Sequence, residues 1–295
     1  MELWLIYAIG AAVFAAITNI LAKIGVKDVD SNLATAIRTM VVVVFAWLMV
    51  YIVGSYDTIH YVSGRTWVFL VLSGLCTGGA WLCFFRALKM TSVNKVVPMK
   101  KSSTILTMIL AFIFLGEPVG LFTVVGMGLM GVGTWLMLKT KRGESSEAKE
   151  KSWLFFAVLA AIFASLTAIF SRVGVAEIDA TLWTALRTMI VVPLSWVMVV
   201  VNRGETSTRH KMHSITRKSW IFLVLSGMAT GFSWLFFYHA LQIGQASHVV
   251  PIDRLSIVLV MVFARLFLGE RFSRRSLLGL GLVTAGTLIA TFVGV

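Results

Sequence analysis

Charged residues are scarce in this sequence, and so are cysteine and proline. Only 13% of the 295 residues are Asp, Glu, Lys or Arg, whereas charged residues make up about a quarter of an ordinary soluble domain. Hydrophobic residues account for 58% of the chain, and the mean hydropathy is +0.90. This composition excludes a soluble globular domain and predicts a polytopic membrane protein.

The two cysteines, Cys76 and Cys83, lie seven residues apart on one predicted helix, so they cannot bridge each other. The five histidines fall mostly in predicted loops, and the sequence contains no glycine-rich phosphate cradle and no clustered carboxylate pair. We therefore expect no catalytic residues, no metal and no cofactor, and we do not expect an enzyme.

Basic residues outnumber acidic residues by 26 to 13, which gives a formal net charge of +13. In a soluble chain this balance would suggest a nucleic-acid partner. Here most Lys and Arg fall in short polar gaps between apolar runs, and no basic patch is interleaved with solvent-facing aromatic residues. We therefore expect a lipid bilayer around the chain and no nucleic acid, and we interpret the charge as a signal of membrane topology.

Long apolar segments recur along the whole chain. Because lipid offers no hydrogen-bond partner to the backbone, each spanning segment must be helical. The first ten residues have an acidic residue where a signal peptide would be basic, so we expect an uncleaved first helix. The predicted fold is an all-α polytopic membrane protein with ten transmembrane helices, at residues 3–24, 33–53, 66–88, 93–115, 119–138, 152–173, 182–201, 219–241, 246–268 and 275–294.

The second half of the sequence repeats the first. The string TAIRTM recurs as TALRTM at an offset of 149, and WVFLVLSG recurs as WIFLVLSG at an offset of 153. We predict two five-helix repeats, 1–138 and 152–295, joined by a charged linker, 139–151. Because five is an odd number, the second repeat must enter the membrane from the opposite face, so the repeats are predicted to be inverted around a central cavity.

The basic residues give an independent prediction of sidedness. Of the loop residues, 17 Lys and Arg fall on the side of the linker, whereas only Arg65 and Arg172 fall on the other side. Positive residues are retained in the cytoplasm. We therefore predict an inner-membrane protein with a cytoplasmic linker and both termini outside.

One stretch joins a proline to membrane-embedded charge in both repeats. Residues 95–117 and 248–270 are identical at 11 of 23 positions. Pro98 and Pro251 each remove one helical hydrogen bond, so we predict hinges that free the carbonyls of the preceding turn, near Asn94 and near Ala246 to Ser247. The FLGE strings that end these helices predict caps or hinge contacts for Glu117 and Glu270.

Charged residues follow both prolines, about 12 Å into their helices. The first repeat has Lys100 and Lys101, and the second has Asp253 and Arg254. A kinked helix with charge at the kink favours a substrate or ion site. The alternative is an ion pair between Asp253 and Lys100 or Lys101 that only holds the halves together.

Arg38 and Arg187 occupy the same position in the two repeats. A charge at the bilayer centre costs about 3 kcal/mol on insertion scales, so each side chain either lines a wet cavity or reaches towards the interface. The interior charge is mostly positive, which favours a substrate with a carboxylate or phosphate. Asp253 is the one deep carboxylate and the candidate proton carrier.

Smaller polar groups and two tryptophans complete the predicted substrate-binding set. Each of them could contact either a substrate or a neighbouring helix. They are Trp81, Trp234, Thr18, Asn19, Ser103 and Ser256.

The VVP kinks, the paired FLGEPV and FLGERF turns and the ten-helix duplication resemble the EamA domains of the drug/metabolite transporter superfamily over nearly the whole chain. The TAIRTM and VVPIDRLS strings are especially similar to half-size, five-helix members, so this chain resembles a fused pair. The resemblance implies a central cavity with peripheral fifth and tenth helices, alternating access, and export across a prokaryotic inner membrane. Ten-helix relatives are usually drawn with both termini inside, whereas the charges here place them outside.

These observations predict a secondary-active transporter of a small anionic or zwitterionic, amino-acid-like metabolite, with protons as a candidate coupling ion. Two alternatives stay open. A broad exporter of hydrophobic drugs would not depend on the interior cations, and a membrane scaffold or lipid-handling protein would show no saturable solute flux.

Overall fold

The described part of the chain is helical. A computed structural model describes residues 2–25, 29–90, 103–138, 147–201, 212, 215–268 and 274–293, and these ranges contain no strand. A short 3-10 helix covers Ser55–Tyr61, and a π-helical turn covers Ile289–Val293. The α-helices are α1 (Leu3–Gly25), α2 (Ser31–Val53), α3 (Gly64–Met90), α4 (Ser103–Leu115), α5 (Leu121–Leu138), α6 (Glu147–Val175), α7 (Ala180–Val201), α8 (Arg217–Ile243), α9 (Ala246–Arg254), α10 (Ser256–Leu268) and α11 (Arg274–Leu288).

Seven helical stretches are long and apolar enough to cross a membrane. They begin at Leu3, Asn32, Gly64, Ser152, Ala180, Arg217 and Ala246. Three shorter apolar helices cover Ser103–Leu115, Leu121–Leu136 and Leu277–Phe292. The chain is therefore an all-helical, multi-pass membrane protein, as its composition predicts, while the count of ten spans stays a prediction.

Helix contacts pair the two halves of the chain. The most extensive packing joins α1 to α8 and α3 to α6, and α2 lies against α7. The helix α4 packs on α6, and α10 packs on α1. These contacts are symmetric. The pair α1 and α8 corresponds to the pair α6 and α3, and the pair α4 and α6 corresponds to the pair α10 and α1. The core therefore forms mainly between the two halves.

Glycines allow the closest of these approaches. A Cβ atom added to Gly74 of α3 would lie 2.6 Å from Ile190 Cγ2 of α7, and one added to Gly227 of α8 would lie 2.7 Å from Val41 Cβ of α2. Both glycines belong to the GxxxG spacings of the sequence, 74–78 and 227–231. Small residues at this spacing let two backbones approach closely.

The predicted ninth span is divided in two. Pro251 lies inside α9, but the helix ends at Arg254 and resumes at Ser256. The intervening Leu255 has its N–H 3.0 Å from the Ile252 carbonyl, a tighter turn than an α-helix makes. Because α9 begins at Ala246, the proline lies in its second turn, and the break follows the proline instead of preceding it as expected. Pro98 lies outside the described residues, and both hinge roles stay predictions.

Candidate functional site

Two acidic residues hold turns of the two halves together at one end of the helical bundle. Asp179 begins α7 as its N-cap and accepts hydrogen bonds from the Thr181 N–H (2.9 Å) and the Leu182 N–H (3.2 Å). It also accepts a 2.8 Å hydrogen bond from Ser55 Oγ, in the turn after α2. Burial acts to raise the pKa of Asp179, but these hydrogen bonds, Ser55 first among them, hold it below its usual value.

Glu177 makes a second link at the same end. Its Oε2 atom accepts 2.6 Å hydrogen bonds from Ser63 Oγ and Thr66 Oγ1, and its Oε1 atom lies 3.7 Å from Arg65 Nη1. The hydrogen bonds from Ser63 and Thr66, with a smaller effect of Arg65, lower the pKa of Glu177. The turn before α3 is therefore fixed to the turn before α7.

Arg38 forms the first of two buried polar groups between the halves. Its Nη2 atom donates a 2.9 Å hydrogen bond to Thr230 Oγ1 of α8. Thr230 in turn lies 3.4 Å from Thr18 Oγ1 of α1. The side chain of Arg38 is half-buried, and its Nε atom has no partner among the described residues.

Arg187 forms the second group, and it is buried more deeply. Only 2% of Arg187 is exposed. Its Nη2 atom donates to Thr77 Oγ1 of α3, and Thr77 Oγ1 lies 3.4 Å from Thr167 Oγ1 of α6. The Cζ atom of Arg187 lies 5.5 Å from the ring centre of Trp234 and 5.3 Å from that of Tyr238, which is within the range of cation–π attraction.

The two groups are equivalent by the repeat. An offset of 149 relates Arg38 to Arg187 and Thr18 to Thr167, and an offset of 153 relates Thr77 to Thr230. In both groups an arginine of one half binds a threonine of the other half.

The sequence prediction included Arg38, Arg187, Thr18 and Trp234 but missed Thr77 and Thr230. Their position in the repeat was the available signal, since Thr77 and Thr230 match each other in LCTGG and MATGF.

Asp253 and Arg254 lie at the end of α9, directly before the break at Leu255. Both side chains are half-buried. No hydrogen bond or ion pair from another side chain of the described ranges reaches the Asp253 carboxylate, and Arg254 Nε also has no partner there. Tyr238 lies within electrostatic range of both Arg187 and Asp253.

Among the described residues, no hydrogen bond or ring contact joins the other predicted residues to Arg38, Arg187 or Asp253. Asn19 is exposed and donates to the Ala15 carbonyl of its own helix at 2.7 Å. Ser103 is buried at the start of α4, where its carbonyl accepts a 2.9 Å hydrogen bond from Ser165 Oγ. Ser256 begins α10 and Trp81 lies in α3, and both are half-buried. Lys100 and Lys101 lie outside the described residues, as does any pairing of theirs with Asp253.

The arrangement can bind an anion but does not assemble a metal site. Within the described ranges no three His, Cys, Asp or Glu side chains lie close enough to hold a metal ion. The buried cation Arg187, in contrast, has Nε and Nη1 donors that no described group accepts. Cationic donors between apolar walls are the expected features of a site for a small anionic solute in a membrane protein.

The described residues form a helical bundle with several candidate membrane spans, and one buried and one half-buried arginine lie between its halves. These features are typical of a solute transporter, and the comparisons with known proteins agree. The chain belongs to the EamA-like transporter family, whose model matches residues 2–139 and 151–292. A protein of Sinorhizobium sp., named as an uncharacterized transporter in the cobO 3' region, is 43% identical over 139 residues, which cover 47% of this chain and 96% of that protein. A solved crystal structure superposes with a TM-score of 0.78 at 16% identity, and the match covers 97% of this chain and 96% of that one.

The family match and the relative confirm the predicted resemblance and make this chain a membrane transporter. The solved structure, at 16% identity, supports the fold alone.

Proposed function

We propose that the protein is a secondary-active transporter of a small anionic or zwitterionic, amino-acid-like metabolite, which it exports across the inner membrane by alternating access. The observation that supports a negatively charged substrate is the environment of Arg187. This guanidinium is 2% exposed and forms no ion pair with a carboxylate of the described residues. A buried charge without a partner is costly, so an anionic substrate group would stabilise it.

The surroundings of Arg187 favour a carboxylate with an apolar substituent. One guanidinium nitrogen already binds Thr77, while Nε and Nη1 retain donors without a partner. Trp234 and Tyr238 lie beside the guanidinium and add apolar ring surface. Hydrogen bonds from a guanidinium to a carboxylate are among the strongest in proteins. The apolar rings would contact the remainder of the solute.

The environment of Asp253 supports the coupling of transport to protons. Asp253 precedes the break between α9 and α10, and no described side chain neutralises it by a hydrogen bond or ion pair. We propose that Asp253 exchanges a proton during transport and that Pro251 with Leu255 serves as the hinge. The half-buried Arg38 of the other repeat, together with Lys100 and Lys101, would then receive the substrate at the cytoplasmic side.

The contacts between halves suit this mechanism. The repeats 1–138 and 152–295 meet through α1 with α8 and through α3 with α6, and these pairs exchange with the halves. Two similar units that share one interface can rock between two related arrangements. The sidedness given by the basic residues would place the Glu177 end of the bundle outside and Arg38 nearer the cytoplasm.

The substrate class can be tested by a thermal-shift screen of the purified protein against carboxylates, amino acids, phosphates and hydrophobic cations. We expect carboxylates to raise the unfolding temperature of the wild type and Arg187→Gln to lose this shift. The matched control is Arg65→Gln, which removes an exposed basic side chain that pairs with Glu177 and should retain the shift. A shift by hydrophobic cations alone, unaffected by Arg187→Gln, would instead identify a drug exporter and contradict the proposal.

Coupling can be tested in proteoliposomes with the best carboxylate from that screen. We expect a proton gradient to drive its flux in the wild type, and Asp253→Asn to abolish the dependence on the gradient while leaving exchange of labelled for unlabelled substrate. Gradient-driven flux that survives Asp253→Asn would exclude the proton role. The absence of saturable flux for every compound would favour the scaffold or lipid-handling alternative.

A further inference from the structure

Glu117 caps a helix in the opposite half of the chain. Its Oε1 atom accepts a hydrogen bond from the Ala246 N–H and its Oε2 atom accepts one from the Ser247 N–H, each at 2.8 Å. These are the first two N–H groups of α9. The side chain thus bridges a turn after α4 to the start of α9, about 130 residues further along the chain.

No local side chain replaces this cap. Gln245 occupies the N-cap position of α9 with an extended backbone, φ −76° and ψ 141°, but its side chain accepts no capping hydrogen bond. The Gln245 Oε1 atom and the Ser247 Oγ atom have no partner among the described residues. An N-cap side chain normally comes from the residue that begins the helix. Here the acceptor comes from the other half, so the cap is also a link between halves.

The backbone before Glu117 directs its side chain towards α9. The helix α4 ends at Leu115, and Gly116 follows in the left-handed region with φ +63°. Only glycine adopts this region without strain, which makes it the usual residue after a helix end. The LGE string therefore terminates one helix with its glycine and begins another with its glutamate.

Charge strengthens the contact. The N-terminus of a helix has a partial positive charge, and a carboxylate there accepts charge-assisted hydrogen bonds. His248, in the same first turn of α9, lies within electrostatic range of Glu117 and of Glu2. The indole of Trp4 packs on the His248 ring at 6.0 Å and donates to Glu2. The start of α9 is thereby held by groups of the first half on two sides.

The short helix α9 connects this contact to the proposed transport site. It has nine residues and is followed by α10 after the single residue Leu255. Asp253 follows Glu117's partner Ala246 by seven residues, which corresponds to about 10 Å along the helix axis. A shift of the first turn of α9 would therefore be transmitted to Asp253 and Arg254.

We propose that Glu117 is a positioning residue for transport. Glu117 and the N–H groups of Ala246 and Ser247 form a link between the first half of the chain and α9, which we call the Glu117 latch. The latch fixes the positions of Asp253 and Arg254, which directly precede the break at Leu255. The link between Glu117 and α9 does not depend on the proposed function, whereas its effect on substrate flux rests on that function.

The latch can be tested without a substrate. Spin labels at Val119→Cys and Ile243→Cys, both exposed positions beside the two linked turns, report their separation by pulsed electron paramagnetic resonance after Cys76 and Cys83 are replaced by alanine. We expect a narrow distance distribution in the wild-type background and a broader one in Glu117→Gln, because the amide nitrogen that replaces one carboxylate oxygen is a donor and cannot accept its hydrogen bond. Exchange of the Ala246 and Ser247 amides should accelerate about tenfold.

A second variant separates a local cap from a link between halves. Gln245→Asp adds an N-cap acceptor to α9 itself. In the Glu117→Gln background it should restore slow exchange of the Ser247 amide, which an N-cap side chain can reach, but leave the Ala246 amide fast and the distance distribution broad. The control Glu177→Gln removes another inter-half carboxylate that does not contact α9, so it should leave both amides protected.

Three results would overturn the latch. They are an unchanged distance distribution in Glu117→Gln, unchanged exchange of both amides, and a narrow distribution restored by Gln245→Asp. Loss of the latch signals with unaltered carboxylate flux would retain the structural link but exclude its role in positioning. A protein that shows these signals yet transports no carboxylate would contradict the proposed substrate class and not the latch.

Discussion

Arg187 donates a hydrogen bond to Thr77 in the other half of the chain, and Arg38 donates a 2.9 Å hydrogen bond to Thr230 in the reverse direction. The two pairs are equivalent by the repeat, but their environments differ. Arg187 is 2% exposed and lies beside two aromatic rings, whereas Arg38 is half-buried. The two symmetric contacts therefore differ in how deeply they are enclosed.

Replacing Thr77 by valine should destabilise the protein more than replacing Thr230 by valine. Valine retains the volume of threonine but removes the hydroxyl acceptor, so Thr77→Val leaves a third buried Arg187 nitrogen without a partner. A buried donor of this kind costs about 1–3 kcal/mol. Arg38 is half-buried, so the loss of its Thr230 acceptor should cost less. Thermal unfolding of the two variants in detergent measures the difference.

The control for this pair is Thr284→Val in α11. The Thr284 hydroxyl donates only to the Leu280 carbonyl of its own helix, at 2.8 Å, so its loss should lower the unfolding temperature little. Equal effects of Thr77→Val and Thr284→Val would mean that the inter-half hydrogen bond adds nothing to stability.

Acid should weaken the link made by Glu177. Hydrogen bonds from Ser63 and Thr66 lower the pKa of Glu177 below its ordinary value of 4.5. A group whose pKa is lower in the folded state stabilises the fold above its unfolded pKa, and this contribution is lost as the pH falls through the folded pKa. The unfolding temperature should therefore decline as the pH falls below about 4.5.

The variant Ser63→Ala with Thr66→Val tests the cause of that decline. Without the two donors the pKa of Glu177 moves back towards its ordinary value, so the decline with acid should become shallower. Thr58→Val, which removes a hydroxyl bonded only to the Ser55 carbonyl at the same end, should leave the profile unchanged. An identical acid profile in all three proteins would disprove the assignment to Glu177.

The sequence was sufficient to predict the helices because their signals are local. Continuous apolar runs bounded by polar and charged residues predict α1, α2 and α7 within a few residues of their observed ends. Arg38 and Arg187 could be selected because charge inside an apolar run is costly wherever the helix packs. Both signals depend on neighbours in the chain.

Contacts between distant residues could not be predicted in the same way. A threonine in an apolar helix, such as Thr77 or Thr230, has the same sequence signal whether it bonds its own helix or an arginine of another. Asn19 shows the other outcome, since its side chain bonds its own helix. Glu117 was expected to act as a cap, but its target lies 129 residues away in α9, and only the packing of the two halves determines that pairing.

Trp234 should stabilise the folded protein through its contact with the buried guanidinium of Arg187. Its ring centre lies 5.5 Å from Arg187 Cζ, and the attraction of a cation to an indole exceeds that to a phenyl ring. Trp234→Phe should lower the unfolding temperature by an amount equivalent to about 1–2 kcal/mol. In an Arg187→Gln background the same substitution should cost less, and this coupling is measured by a double-mutant cycle. Additive effects of the two substitutions would show that the ring packs without sensing the charge.

The contact between α5 and α11 gives a test with a closely matched control on the same helix. A Cβ atom at Gly133 would lie 2.6 Å from the backbone carbonyl oxygen of Gly279 and 2.9 Å from Val283 Cγ2, whereas one at Gly128 would have no neighbour within 4 Å. A backbone oxygen cannot turn aside as a side chain can, so Gly133→Ala must separate the two helices. Such overpacking costs about 1–3 kcal/mol. Gly128→Ala, in contrast, should be neutral or slightly stabilising, because alanine is the better helix former. Thermal unfolding of both variants in detergent distinguishes the two effects. Equal stability of Gly133→Ala and Gly128→Ala would contradict the close approach of α5 and α11.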